Sequence, residues 1–244
     1  MDTFLMIITL LSWLALGWCI VFCMVHFFRL VKQGKVKDLS QKSGNITQAV
    51  VYSNTTAMMP SQKESAYKHL PTFTAGIVYH IGTFLSLSLF VLSLIVIIGK
   101  DSWNITRFLF DGWWFLVGTA VFLLFGFLCG FSLLLKRIFS KKLRPFSNFD
   151  DYFSNGIVTL FQFFSFALLA ILIFATRDYP SNIFFPPINL VACTVYGYFI
   201  TATILFIYLP FGKLKHAVYY FAARYHLGFF YGWRNTWPPK KEKQ

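Results

Sequence analysis

Two apolar stretches of the chain each carry a single histidine, the side chain in them best suited to chemistry. His80 lies in GIVYHIGTFL (76–85), and His216 lies in YLPFGKLKHAVYY (208–220). Neutral imidazole is a common metal ligand, and two imidazoles facing each other across a helical bundle can bind a haem iron from both sides. An unpartnered imidazole is costly in an apolar environment. These histidines are therefore either a pair of ligands or packing residues satisfied by hydrogen bonds.

The chain has five uncharged blocks of 20 residues or more, each long enough to cross a hydrocarbon core of about 30 Å; His80 lies inside the second block, and His216 lies just past the end of the fifth. The 244-residue chain is 57% hydrophobic and only 13% charged, whereas a soluble domain carries about a quarter charged residues. The blocks lack the two-residue alternation of a membrane β-barrel. The sequence predicts an all-α integral membrane protein, a single domain over 1–244 built as a bundle of five transmembrane helices at Phe4–Val25, Gly76–Ile98, Trp113–Leu135, Phe153–Thr176 and Leu190–Leu209.

Basic residues are concentrated on one side of this bundle. Seven lie between the first and second segments, five between the third and fourth, and seven after the fifth, against only Lys100, Arg107 and Arg177 on the other side. By the positive-inside rule the N-terminus is outside and the C-terminus is cytoplasmic. The long polar loop (about 31–70), expected to be mobile or ordered by a partner, and the tail (about 217–244) are then cytoplasmic. The net charge of +13 reflects this topology and requires no nucleic acid, although the basic face would attract anionic lipid headgroups or an acidic soluble partner.

Charged side chains and cysteine motifs are missing from the five segments. Their cores contain no Asp, Glu, Lys or Arg, which argues against an ion pump or transporter with a charged relay. The four cysteines lie inside the segments without CxxC spacing, so we expect no zinc or iron–sulfur site in this chain.

Two local patterns predict packing and capping rather than catalysis. Gly126 and Gly130 in the third segment have the spacing of small residues that lets two membrane helices approach closely. Asn148 precedes Asp150 and Asp151, which is typical of a helix N-cap followed by carboxylates at the positive end of the helix dipole.

The segments around both histidines resemble a known family. YLPFGKLKH at 208–216 resembles the end of the last helix in the nitrate reductase gamma-subunit-like membrane cytochromes b, and HIG at 80–82 resembles that family's first ligand on the second helix. LRPFSNFDDYFSN at 143–155 resembles the loop before the fourth helix in the branch formed by the membrane subunits of heterodisulfide reductase and of the dissimilatory sulfite-reduction complex. The resemblance covers most of the chain, apart from the long loop and the tail.

The resemblance implies one haem b, with His80 and His216 as the axial ligands of its iron. The family commonly stacks a second, outer haem, and the positions of its ligands correspond here to Phe90 and Tyr198. These side chains cannot form a bis-histidine pair, so we expect one haem per chain.

The remaining candidate residues lie near this pair or further toward the cytoplasm. His69 and His226 lie ten or eleven residues beyond it, about 15 Å along a helix, and are a secondary candidate pair for a second haem. The candidates for contact with a haem propionate or a quinone are His26, Tyr79, Lys213 and Lys215.

By this resemblance the chain is expected to be a membrane subunit of a quinone-linked oxidoreductase complex in a respiratory chain. It would be a multi-pass protein of the inner membrane of a prokaryotic cell. It would pass electrons between menaquinone or another quinone and a cytoplasmic iron–sulfur subunit, because the chain has no cysteine cluster of its own. The alternative is a haem-free anchor or assembly subunit of a redox complex, whose histidines only form hydrogen bonds within the bundle.

Overall fold

Helices form all the regular secondary structure in the part of the chain that the computed structural model describes, residues 3–33, 39–59, 68–99, 113–176 and 188–239. They are α1 (Thr3–Gln33), α2 (Ile46–Asn54), α3 (Leu70–Gly99), α4 (Trp113–Phe139), α5 (Phe149–Thr176), α6 (Ile188–Tyr208) and α7 (His216–Trp233). Short 3₁₀ turns occur at Thr56–Met58, Arg144–Phe146 and Lys213–Lys215. The prediction of an all-helical protein is confirmed for these residues.

Helices α1, α3, α4, α5 and α6 are long and apolar enough to span a membrane, as the sequence predicted. All five extend past their predicted bounds at one end or both, and the largest extensions are in α1, which continues to Gln33, and α3, which already begins at Leu70. At about 1.5 Å per residue, α1 is about 46 Å long, well beyond the hydrocarbon core of about 30 Å. Apolar sequence marks only the part of a helix that lies in lipid, whereas backbone hydrogen bonding continues past it. The side of the membrane on which each terminus lies stays a prediction.

The chain folds into two compact units. The first is Met1–Gly17 with Pro71–Tyr208, and the second is Trp18–Leu70 with Leu209–Gln244. The first unit thus contains most of the spanning helices, and the second contains the C-terminal half of α1 together with α2 and α7. The expectation of a single domain stays a prediction.

In the first unit, α5 packs against both α4 and α6, and α3 approaches α4 through two glycines. A Cβ placed on Gly126 of α4 would lie 2.9 Å from the Cα of Gly82 on α3. Gly130, one turn further along α4, faces the ring of Tyr79. The close packing predicted from the spacing of Gly126 and Gly130 is therefore confirmed.

The start of α5 is held by a reciprocal cap. The Asn148 side chain accepts a hydrogen bond from the backbone N–H of Asp151 (3.1 Å), and the Asp151 carboxylate accepts one from the backbone N–H of Asn148 (3.0 Å). The predicted cap is confirmed. Both carboxylates also join neighbouring helices, because Asp151 pairs with Arg137 of α4 at 2.6 Å and Asp150 accepts a hydrogen bond from the Tyr208 hydroxyl of α6.

In the second unit, the long polar loop is ordered by the chain's own tail over its described part. Helix α2 packs against α7, and the two are joined by Ser53 and Arg224: the Ser53 hydroxyl donates to the Arg224 carbonyl, and Arg224 Nε donates to the Ser53 carbonyl, both at 2.7 Å. Glycines permit the approach, since a Cβ on Gly228 would lie 2.6 Å from the Cα of Val50.

Replacing Gly228 with leucine is expected to release α2 from α7, because the new side chain would meet the backbone of α2 at Val50. Overpacking of this kind costs about 1–3 kcal/mol, so the amides of residues 46–54 should exchange hydrogen for deuterium about tenfold faster. Ala223→Leu, at an exposed position of α7, is the matched control. Equal exchange in the two variants would show that this contact does not order α2.

Candidate functional site

His80 projects from α3 with an exposed side chain. Its Nδ1 lies 2.6 Å from the carbonyl oxygen of Gly76, one turn earlier. A carbonyl oxygen can only accept, so Nδ1 carries a hydrogen, and in the neutral imidazole Nε2 keeps its lone pair. The histidine is thereby presented with Nε2 as an available ligand atom.

His216 has the same hydrogen-bond arrangement in a different local structure. The sequence placed it at the end of the fifth spanning segment, but α6 ends at Tyr208 and His216 is the first residue of α7. The 3₁₀ turn Lys213–Lys215 precedes it, and its Nδ1 donates to the Lys213 carbonyl at 2.7 Å. Its side chain is also exposed, and Nε2 again keeps its lone pair.

This arrangement is the one found around metal-bound histidines. A ligating imidazole usually donates its other ring N–H to a carbonyl or carboxylate, which selects the tautomer, orients the ring and raises the basicity of the ligand nitrogen. The donor chemistry of His80 and His216 therefore fits a haem iron. His80 belongs to the first unit and His216 to the second, and their pairing stays a prediction. Among the described residues, no group of three or more His, Cys, Asp or Glu could hold a metal ion, but a bis-histidine haem requires only two.

The four candidates for contact with a haem propionate or a quinone lie on α1, on α3 and in the turn before α7. The Tyr79 hydroxyl donates to the Asn155 carbonyl at 3.3 Å, so this tyrosine joins α3 to α5. Lys213 and Lys215 form the turn that leads into His216, and Lys215 Nζ lies 5.8 Å from the ring centroid of Tyr219. His26 is partly buried on α1. Their assigned contacts stay predictions.

His69 and His226, the secondary pair, differ from the first pair in their hydrogen bonding. His226 Nε2 lies 3.1 Å from the Leu30 carbonyl, so Nε2 is the protonated nitrogen and has no lone pair to offer. His69 is exposed in a turn before α3. A second haem at this pair stays a prediction.

The two positions corresponding to outer haem ligands are buried within an aromatic cluster of the first unit. The ring centroids of Phe90 and Tyr198 lie 5.9 Å apart, and both side chains are fully buried. Phe161 stacks on Tyr198 at 5.5 Å, and Phe206 packs edge-on against Phe90 at 5.0 Å. Aromatic rings fill the interior here, and the number of haems per chain stays a prediction.

Gln162 is a buried polar residue that the sequence analysis missed. Its side chain is fully buried on α5, and its Nε2 donates to the Tyr79 carbonyl (2.9 Å) and the Thr83 hydroxyl (2.7 Å) of α3. Its Oε1 has no hydrogen-bond partner and lies beside Gly82 and Gly126. These two hydrogen bonds hold α3 against α5 at residues on either side of His80. A lone glutamine within an apolar run is a signal that could have identified it.

No protein-family model, curated protein or solved structure matches this chain. Its function is therefore argued from the side chains described above and from the motifs around the two histidines.

Proposed function

We propose that this chain is a haem b-containing membrane subunit that passes electrons between the quinone pool and a cytoplasmic iron–sulfur subunit of a respiratory complex. One observation carries the proposal. His80 and His216 both donate Nδ1–H to a backbone carbonyl within their own helix turn, at 2.6 and 2.7 Å, and both keep the Nε2 lone pair. Both imidazoles therefore present the same ring nitrogen, Nε2, as two axial ligands would.

In this proposal His80 and His216 hold the iron through Nε2, and the bound haem supplies a one-electron redox centre. The carbonyls of Gly76 and Lys213 hold the two imidazoles in the ligating tautomer. Gln162 keeps α3 in position by binding its backbone and side chains beside His80. The aromatic cluster at Phe90 excludes a second haem from the outer position.

The quinone and the partner are proposed to act near these residues. His26, Tyr79, Lys213 and Lys215 are the polar side chains proposed to contact a haem propionate or a quinone headgroup. The iron–sulfur subunit is proposed to dock on α2 and α7, which pack against each other rather than forming a loose loop and tail. The proposed location is the inner membrane of a prokaryotic cell, with both helices on the cytoplasmic side.

Visible spectroscopy of the purified full-length chain tests this function. The dithionite-reduced minus oxidised spectrum is expected to show a low-spin b-type haem. The iron is expected to be low-spin because it has two imidazole ligands. A pyridine haemochrome assay is expected to give one haem per chain.

The possible stoichiometries separate the alternatives. No haem in chain purified from haem-sufficient cells would favour the haem-free anchor, in which His80 and His216 only bond to backbone carbonyls. Two haems per chain would contradict the exclusion by Phe90 and Tyr198 and would direct attention to His69 and His226.

A further inference from the structure

The connection between α4 and α5, residues 139–149 (the α4–α5 loop), exposes three phenylalanines. Phe139 is 76% exposed, Phe146 is 88% exposed and Phe149 is 81% exposed. Single exposed apolar residues are ordinary on protein surfaces, but several large ones within one short segment indicate an interaction surface.

The backbone of this loop holds these rings outward. The N–H of Phe146 donates to the Leu143 carbonyl at 3.1 Å, and the Ser147 hydroxyl donates to the same carbonyl at 2.9 Å. The reciprocal cap between Asn148 and Asp151 then fixes the start of α5 beside Phe149. The exposure is therefore part of the local structure and does not come from an unfolded loop.

The same loop carries uncompensated positive charge. Lys141, Lys142 and Arg144 are exposed and form no ion pair with any described residue. The two nearest carboxylates are already engaged, Asp151 with Arg137 and Asp150 with the Tyr208 hydroxyl (both shown above). Exposed phenylalanines thus flank a group of exposed cations in this loop.

The spanning helices restrict where this surface can lie. The apolar span of α4 ends at Phe139 and that of α5 begins at Phe149. Phe146 is three residues from that second span, at most about 10 Å along an extended chain. Phe139 and Phe149 are thus the end residues of two apolar spans, the positions at which a spanning helix leaves the acyl chains for the phosphate-bearing headgroups.

We propose that the α4–α5 loop is a binding site for anionic phospholipid. Phe139, Phe146 and Phe149 enter the acyl-chain boundary, and the loop cations bind the headgroup phosphates. The positive-inside rule explains the cations but does not explain the outward phenylalanines. A membrane surface explains both, because apolar insertion and attraction to anionic lipid reinforce each other in interfacial binding. The proposal is independent of whether the chain binds haem.

Native mass spectrometry of the detergent-purified full-length chain tests this site, with phosphatidylglycerol and phosphatidylcholine of identical acyl chains as probes. The wild-type chain is expected to bind phosphatidylglycerol about tenfold more tightly than phosphatidylcholine.

The K141Q/K142Q/R144Q variant is expected to lose this preference for phosphatidylglycerol. The matched control R29Q/K32Q/K42Q removes three exposed charges elsewhere and is expected to keep it. Phe146→Ser is expected to weaken binding of both lipids without changing the melting temperature, since the ring is 88% exposed.

Three results would overturn the proposal: equal affinity of the wild-type chain for both lipids, a preference that survives in K141Q/K142Q/R144Q, or equal loss in the two triple variants. Polyglutamate serves as a probe for the competing occupant. If it binds through the same three residues while phosphatidylglycerol shows no preference, the loop serves an acidic soluble protein instead. Thermal unfolding of each variant confirms that the loop substitutions leave the fold intact.

Discussion

Alanine at either His80 or His216 is expected to abolish the low-spin haem spectrum of the purified chain. A bis-histidine iron that loses one axial imidazole can retain at most one protein ligand, so its spectrum changes completely rather than in part. Both side chains are exposed and their only described hydrogen bonds are to Gly76 and Lys213 within the same turn. Their removal should therefore leave the helices folded, as circular dichroism can verify.

His69→Ala provides the control for this pair of variants. His69 is an exposed histidine close to the start of α3, and its loss is expected to leave the optical and electron paramagnetic resonance spectra unchanged. Retention of the full bis-histidine signal in both His80→Ala and His216→Ala would refute the ligand assignment. A haem signal lost only in His69→Ala would indicate that the secondary pair, His69 and His226, holds the haem.

Gly126→Ala is expected to destabilise the first unit by about 1–3 kcal/mol, the usual cost of overpacking a filled interior. The added methyl would lie 2.9 Å from both the Gly82 Cα and the Gln162 Oε1. The first of these atoms is backbone and cannot move without shifting α3, so the contact between the helices has to open. Unfolding of the detergent-solubilised chain by heat or by sodium dodecyl sulfate measures the loss.

Gly118→Ala is the matched control on the same helix. A Cβ at Gly118 would meet no atom within 4 Å, so this variant is expected to be neutral or slightly stabilising, since alanine favours the helical backbone. Similar stability of the two variants would show that α3 and α4 do not meet at Gly82 and Gly126 as described.

Much of the helical architecture was predictable because it depends on local composition. Apolar runs long enough to cross a bilayer predicted all five spanning helices, and Asn148 with its following aspartates predicted the cap of α5. The spacing of Gly126 and Gly130 likewise predicted a close helix contact. In each case residues close together in the sequence determine the structure, so the feature can be predicted without knowledge of the tertiary fold.

The candidate site was predictable only in part. His80 and His216 were identifiable as imidazoles in apolar stretches, but their shared tautomer depends on carbonyls that only the folded turns bring within reach. Gln162 was not predictable in the same way, because it carries no charge and its partners lie on another helix.

The sequence by itself determined that this chain is helical and apolar enough to span a membrane, because hydropathy and length act residue by residue. Only the tertiary structure decided that the polar loop and the tail form α2 and α7. Neither segment is apolar enough to signal burial, and each is ordered by the other across more than 150 residues of chain, through pairs such as Ser53 with Arg224. It also decided which phenylalanines stay exposed, since Phe90 and Phe146 belong to the same residue type yet are 0% and 88% exposed. That difference in exposure depends on which helices surround each ring, and it cannot be predicted from the residues next to each phenylalanine in the sequence.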